Sequence, residues 1–397
     1  MRQKTLKILA LRKVLIISSQ LYLEVIMITL VEHNPLAFEV VERKCLGHPD
    51  TLADGISEAI SRSLCKNYLD EFGGILHHNV DKVLIIAGKS APRFSGGTIL
   101  KPPSVVVGGR ASRMGKKTVS EIIEDATATH FKKTLRNMHQ FQVEPRVEEG
   151  APELASLIGR GANDTSIGVG FAPISNTERL VLDLEEVVRG VPAAGEDIKL
   201  MAVRIGDKLT LVVAAAMVSR FLSSREDYDE AKAAIHEAVM KKARADHAGE
   251  VEVFVNCADS GENIYLTVTG TSIEMGDDGA TGRGNRGNGL ITPMRPMTME
   301  AIAGKNPVSH VGKIYNVMAQ KAAIEIAGLD GVEEAYVTIV SKIGSPISQP
   351  LLRSVKISGD TKLSQAMQSE INAILDFWLE STPSLVEHFI KGRLAIY

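Results

Sequence analysis

At 397 residues, 44% hydrophobic and 23% charged, the chain has room for about two or three ordinary domains and the composition of a globular protein. Its formal net charge of −3 provides no general basic field, which excludes nucleic-acid binding by bulk electrostatics and leaves any polyanion site to local cationic clusters. The 3 cysteines, Cys45, Cys65 and Cys257, are widely spaced and fit neither a disulfide framework nor a zinc pattern, so they read as reduced thiols of a cytoplasmic protein.

In chain order, residues 1–26 mix apolar and basic residues without a clean helix or strand period. Arg12 and Lys13 split the apolar run and Glu24 interrupts the rest, so neither a secretion signal nor a membrane span is expected. The segment is read as an extension that can be removed, with Met27 as an alternative start. In "CLGHPDTLADGISEAI", Pro49 biases His48 away from helical geometry, which predicts an extended corner holding His48 and Asp50 at a helix N-terminus. The competing reading is a plain capping segment with Asp50 or Thr51 as N-cap. Leu52, Ile56, Ala59, Ile60 and Leu64 recur at helical spacing and Gly73-Gly74 supplies a stop.

Strands are predicted over Val83–Ala87, Val105–Val107 and Leu209–Val213, and helices over Val119–Phe141, Asn176–Arg189, Arg225–Ala248, Val311–Gly328 and Thr361–Leu379. "VRIGDKLTLVV" reads as a hairpin turning near Gly206-Asp207, and "VEVFVNCADSGENIYLTVTG" as two strands joined by a polar loop. An α+β design follows, with helices on one face of mixed or antiparallel sheets. Boundaries near residues 150 and 265 divide the chain into regions 27–150, 151–265 and 266–397.

Two nucleotide motifs are decoys. "GRGNRG" follows a polar loop and leads into "LITPMRP", which cannot open a helix, and "GGRASRMGKKT" has P-loop glycines one residue too far apart. "GDDGATGRGNRGNG" is more informative. Its glycines let backbone N–H groups approach a polyanion, Arg283 and Arg286 present planar forks to phosphate, and Asp277 and Asp278 can hold a cation. The plainer alternative is a surface loop of Asp–Arg pairs. "AGKNPVSHVGKIYN" places Lys305, His310 and Lys313 at a second loop-to-helix junction suited to a phosphate chain, against the alternative of a solvated lysine. "GANDTSIGVG" sets Asp164 and Thr165 before a glycine-spaced strand, as ribose or ammonium ligands or as turn residues.

Taken together, "VERKCLGHPDTLADGISEAISRSLCK", "GANDTSIGVGFAP", "GEDIKLMAVR", "TVTGTSIEMGDDGATGRGNRGNGLITPMRPMTMEA" and "GKNPVSHVGKIYNV" resemble the archaeal type of S-adenosylmethionine synthetase, methionine adenosyltransferase, from about Glu32 to the C-terminus. The resemblance implies a fold of three α+β domains built from non-contiguous segments. It also implies a dimer with shared active sites, with a tetramer left open, and partners limited to ATP and L-methionine, without nucleic acid or membrane. The expected reaction joins ATP and L-methionine and cleaves the triphosphate to phosphate and pyrophosphate.

By motif match, His48 is expected near the triphosphate and ribose C5′, Asp50 on Mg²⁺, Asp277 at the adenosyl and methionine moieties, Arg283 and Lys305 on phosphates and Asp164 at the substrate. Glu42 corresponds to an acidic residue upstream of the same corner, and Thr165, His310 and Lys313 join the substrate-site expectations. Gly150, Pro152 and Glu153 are expected nucleotide contacts in a segment matching the mobile cover of the bacterial site. Gly284 replaces a phosphate-binding lysine of the bacterial branch, His310 or Val311 stands near the place of its second metal-binding aspartate, and Lys89 replaces its methionine-contacting glutamate. Metal number and a K⁺ requirement therefore stay open. The rival readings are an ATP-using phosphotransferase or triphosphatase, and a nucleotide-binding regulator without turnover.

Overall fold

The computed structural model describes residues 7–17, 20–33, 36–152, 161–394 and 396–397. The strands are β1 Lys7–Ile17, β2 Gln20–Val31, β3 Phe38–Lys44, β4 His78–Ile86, β5 Lys89–Arg93, β6 Gly96–Lys101, β7 Ser104–Ala111, β8 Gln142–Glu148, β9 Ile167–Ala172, β10 Ala194–Ile205, β11 Lys208–Val218, β12 Glu250–Val255, β13 Leu266–Thr267, β14 Gly279–Ala280, β15 Glu334–Val340 and β16 Leu352–Ser358. The helices are α1 Pro49–Phe72, α2 Val119–Thr134, α3 Asn176–Arg189, α4 Arg225–Asp246, α5 Val311–Ala327, α6 Gln365–Glu380 and α7 Thr382–Ile390.

Each of three larger sheets builds its own core with helices on one face. The sheet β14-β4-β7-β8 packs on α1 and α2 through Leu52, Ile56, Val83, Val105 and Phe131. The sheet β12-β11-β10-β3 packs on α3 and α4 through Val41, Leu184, Leu200, Leu211 and Ile235. The sheet β1-β2-β16-β15-β9 packs on α5 and α6 through Ile28, Tyr315, Val337 and Ile371. Every core draws on distant segments. β3 pairs with β10 across a long stretch of chain, Lys44 to Phe38 running antiparallel to Lys199 to Ile205, and Val41 of β3 joins the core beneath α3.

Among the described residues before Met27, Lys7–Ile17 and Gln20–Ile26 lie in strands, where the sequence showed no clean period. β1 and β2 form an antiparallel hairpin, and β2 continues through Met27 to lie parallel to β16, with Val25 opposite Leu352 and Val31 opposite Ser358. Ile26 is buried in the core beneath that sheet.

The hairpin at Gly206 is present, with φ +55 at the turn. The two strands read in "VEVFVNCADSGENIYLTVTG" are present as β12 and β13, but they do not form a hairpin: both add in parallel to β11. The crossover through α4 makes this pairing parallel, so the sheet is mixed. Helix α2 also ends earlier than periodicity suggests, at Thr134, where Arg136 turns away to pair with Glu196 and the Ala194 carbonyl. In β9, Gly168 and Gly170 sit directly against the backbone of Tyr315 and Ala319, so their spacing serves the approach of α5 rather than a ligand.

Candidate active site

The corner at His48 is built by proline and by the imidazole itself. His48 is the N-cap of α1 at φ −65 and ψ 140, Pro49 opens the helix, and His48 Nδ1 accepts from the Asp50 N–H at 3.2 Å. The cap is therefore His48, not Asp50 or Thr51, and Asp50 stands inside the first turn. Because the amide must donate, the ring proton sits on Nε2. Burial pushes the His48 pKa down to about 4; Asp50 opposes this, while Lys44, Lys199 and Arg283 reinforce it. The ring is therefore a neutral N–H donor among cations, able to act by hydrogen bonding and not by carrying charge.

The glycine-rich loop folds onto this corner. Gly279 lies so close to the Pro49 carbonyl that a Cβ there would overlap it. Asp50 Oδ1 accepts from Ala280 N at 3.0 Å, and one turn later Asp54 Oδ1 accepts from Gly282 N at 2.8 Å. Two carboxylates at helical spacing thus fix alternate loop amides, with the Thr281 amide between them donating to the Val83 carbonyl. Asp54 Oδ2 is buried without a partner, and burial raises the Asp54 carboxyl to about 7. Arg286 satisfies the loop from within, donating to the carbonyls of Gly282, Gly284 and Thr298, so it acts on backbone and not on a ligand.

Lys44 joins the pieces. Its Nζ lies 2.7 Å from Asp50 Oδ2 and 3.1 Å from the Arg283 carbonyl, and Asn285 clamps its main chain at both N and O, at 3.0 and 2.8 Å. Lys199 sits directly opposite Lys44 across β10 and β3, with Nζ 3.3 Å from Glu42 Oε1. Facing like charges in a sheet are unfavourable unless something neutralises them. His48, Lys199 and Asp277 line one opening of about 350 Å³ together with Asp197, Ala214 and Tyr265. Arg283 is exposed and close enough for its charge to act on His48. Lys44, Lys199, Asn285 and Asp197 escaped the sequence reading; the signal present was Asp197 and Lys199 two apart on a strand, which puts them on one side.

The other expected residues gather elsewhere. Asp164, Thr165, Lys305 and His310 line a second opening of about 640 Å³ with Asp81, Thr281, Gly282 and Glu300. Lys305 is buried, with Nζ 2.6 Å from Asp81 Oδ2 and 2.8 Å from Glu300 Oε1, so it is not the solvated lysine of the alternative reading. His310 repeats the arrangement of His48: it is the N-cap of α5, and its Nδ1 accepts from Gly312 N at 3.3 Å. Burial and the neighbouring Lys305 lower its pKa to about 3. Lys313 lies beneath, fully buried, bonded to Glu58 Oε2 at 2.6 Å and to the Lys305 carbonyl at 3.0 Å, which makes it a support of the Lys305 turn and removes it from direct reach of a ligand. Gly150 rests against the His77 ring, and neither it nor Pro152 lines either opening. Glu153 lies outside the described residues.

For a metal, no group of three or more His, Cys, Asp or Glu side chains stands together among the described residues. Asp50 nevertheless offers hard carboxylate oxygens beside a cationic, phosphate-suited rim, and Mg²⁺ is commonly held by one or two carboxylates plus substrate phosphates. Both Asp50 oxygens are bonded, to Ala280 N and to Lys44 Nζ, so the residues fit one such ion only where the Lys44 ammonium gives way to it.

A family model described as S-adenosylmethionine synthetase (AdoMet synthetase) matches residues 21–393. The S-adenosylmethionine synthase of Methanothrix thermoacetophila is 46% identical over 382 residues, covering 90% of this chain and 95% of that protein. The corresponding synthase of Pyrococcus furiosus is 42% identical over 381 residues, again 90% and 95%. A solved structure of an unusual S-adenosylmethionine synthetase from Campylobacter jejuni matches with a TM-score of 0.63 over 91% of this chain and 94% of that one; at 16% identity the likeness shows the fold.

Proposed function

This chain belongs to the S-adenosylmethionine synthetase family, and we propose on that premise how its residues carry the reaction. The chain forms S-adenosylmethionine from ATP and L-methionine. A thioether is neutral and already nucleophilic, so no general base is needed. The difficulty is the departure of a triphosphate, and catalysis is positioning plus electrostatic stabilisation.

The observation that carries this reading is the cationic rim of Lys44, Lys199 and Arg283 around a neutral His48 whose Nε2–H is free of its capping bond. His48 donates to the oxygen that leaves C5′, Lys199 and Arg283 take up phosphate charge, and Asp277 orients the adenosyl and methionine moieties. Asp164 and Thr165 bind substrate polar groups, and Lys305 and His310 hold phosphates in the second opening. Subsequent cleavage of the triphosphate to phosphate and pyrophosphate uses the same rim. Mg²⁺ at Asp50, when bound, spreads the charge of the phosphate chain.

The active site is shared in a homodimer. Residues expected at one centre face two separate openings of one chain. The opening at His48 includes Ala214, on the outward side of β11 that also leaves Val212 uncovered beside Phe254 of β12. A second copy laid on this apolar face covers the opening with its own residues. The free cysteines Cys45, Cys65 and Cys257 suit a reducing cytoplasm.

The deciding assay is ATP consumption with and without L-methionine, with S-adenosylmethionine measured as product. Product formation strictly dependent on methionine is expected. Phosphate release indifferent to methionine would favour a triphosphatase, and binding without turnover a regulator.

A further inference from the structure

We propose that Lys44 holds the Asp50 carboxylate until a triphosphate arrives, so that a divalent cation binds Asp50 only together with the nucleotide. The inference rests on the reading of Asp50 as a metal ligand and concerns what controls that ligand.

Asp50 is not free in this chain. Its Oδ1 accepts from Ala280 N at 3.0 Å and its Oδ2 faces Lys44 Nζ at 2.7 Å, with both side chains largely buried at 5% and 12% exposure. A divalent ion and an ammonium cannot share that oxygen at contact distance, because like charges in a partly dehydrated site repel strongly. The main chain of Lys44 cannot move aside either. Its N and O are clamped by Asn285 at 3.0 and 2.8 Å, and its O also accepts from Thr51 Oγ1 at 2.8 Å. What can move is the ammonium at the end of a flexible four-carbon stem.

Lys199 shows the same arrangement. It faces Lys44 across the sheet and is itself paired with Glu42 at 3.3 Å, so two lysines directed toward one rim are each held by a carboxylate. A phosphate chain entering the rim competes for both. When Lys44 swings from Asp50 Oδ2 to a phosphate oxygen, one carboxylate oxygen is released to a cation beside the same phosphates. Lys44 is therefore a positioning residue for the metal step, and it makes metal occupancy conditional on substrate.

The test uses the full chain and Mn²⁺ as a paramagnetic probe, measured by electron paramagnetic resonance without nucleotide. Wild type should bind Mn²⁺ weakly. Lys44→Met, which keeps the stem and removes the charge, should bind it at least tenfold more tightly, and the gain should vanish in Lys44→Met combined with Asp50→Asn. Lys44→Gln should reproduce the gain should Lys44→Met fold poorly, and Lys44→Arg should stay at the wild-type level. Equal nucleotide-free affinity in wild type and the charge-removed variants overturns the proposal. The bound Mn²⁺ spectrum with a non-hydrolysable ATP analogue separates the two readings. A change on Asp50→Asn keeps Asp50 as a metal ligand even where the Lys44 proposal fails, whereas an unchanged spectrum removes both.

Discussion

At the residue scale, His48 does two things that one substitution can separate. Asparagine is a good N-cap, so His48→Asn retains a side-chain acceptor for the Asp50 N–H while losing the Nε2–H that faces the rim. S-adenosylmethionine formation should fall by on the order of 10²–10³ in kcat, the usual loss for one stabilising donor, with the melting temperature nearly unchanged. Triphosphate hydrolysis should fall less, because His48 is assigned to the departing oxygen and not to the later cleavage. Equal loss of both activities would make the histidine structural.

Asp54 gives a pH prediction at the same scale. Burial raises its carboxyl to about 7 in the folded chain, against about 4 when unfolded, although the Gly282 amide and Arg286 pull the other way. The stability contributed by the retained proton is present below about pH 4 and is lost as pH rises through about 7. Asn is neutral throughout and can still accept from Gly282. The advantage in melting temperature of Asp54→Asn over wild type should therefore grow from pH 5 to pH 8, and a constant difference would contradict it.

At the element scale, the segment before Met27 provides the sharpest correction. The sequence reading treats it as removable without loss of heat stability. In the structure, a chain beginning at Met27 forfeits the pairing of Val25 and Ile26 with Leu352 and Arg353 and takes Ile26 out of the core. Losing one buried aliphatic side chain costs on the order of 2–5 kcal/mol. A chain beginning at Gln20 should melt close to the full chain and one beginning at Met27 clearly below it; identical melting of the two would restore the original expectation. Helices were more legible. Asn176–Arg189 has the bounds read from periodicity because Ser175 and Glu178 form a capping box with local signals, whereas the end of α2 depends on the distant Glu196.

At the scale of the whole molecule, the two openings predict complementation between chains. His48→Ala disables one opening and Asp164→Ala the other, while Asp164 is exposed and its removal should leave folding intact. Co-refolded mixtures should recover part of the activity, since one of the two shared sites in a heterodimer is then whole. At a verified heterodimer fraction, no recovery would place the complete site within one chain. His48 and Arg283 would be a poor pair for this purpose, because Lys44 ties the Arg283 backbone to the His48 corner of the same chain.

The sequence by itself determined what local chemistry can determine. Pro49 set the corner, apolar spacing set most helices, and the glycine-rich and "GKNPVSH" segments carried enough rare residues to identify the family and its reaction. Tertiary structure decided which candidates share a space. Only the antiparallel register of β3 and β10 sets Lys44 against Lys199. Only folding of the loop onto α1 gives Asp50 and Asp54 backbone donors. Burial under α1 likewise turns Lys313 from a candidate ligand into a support held by Glu58. The physical reason is that charge pairing, desolvation and strand register depend on groups tens to hundreds of residues apart, whereas turn geometry and helical period are fixed by neighbours.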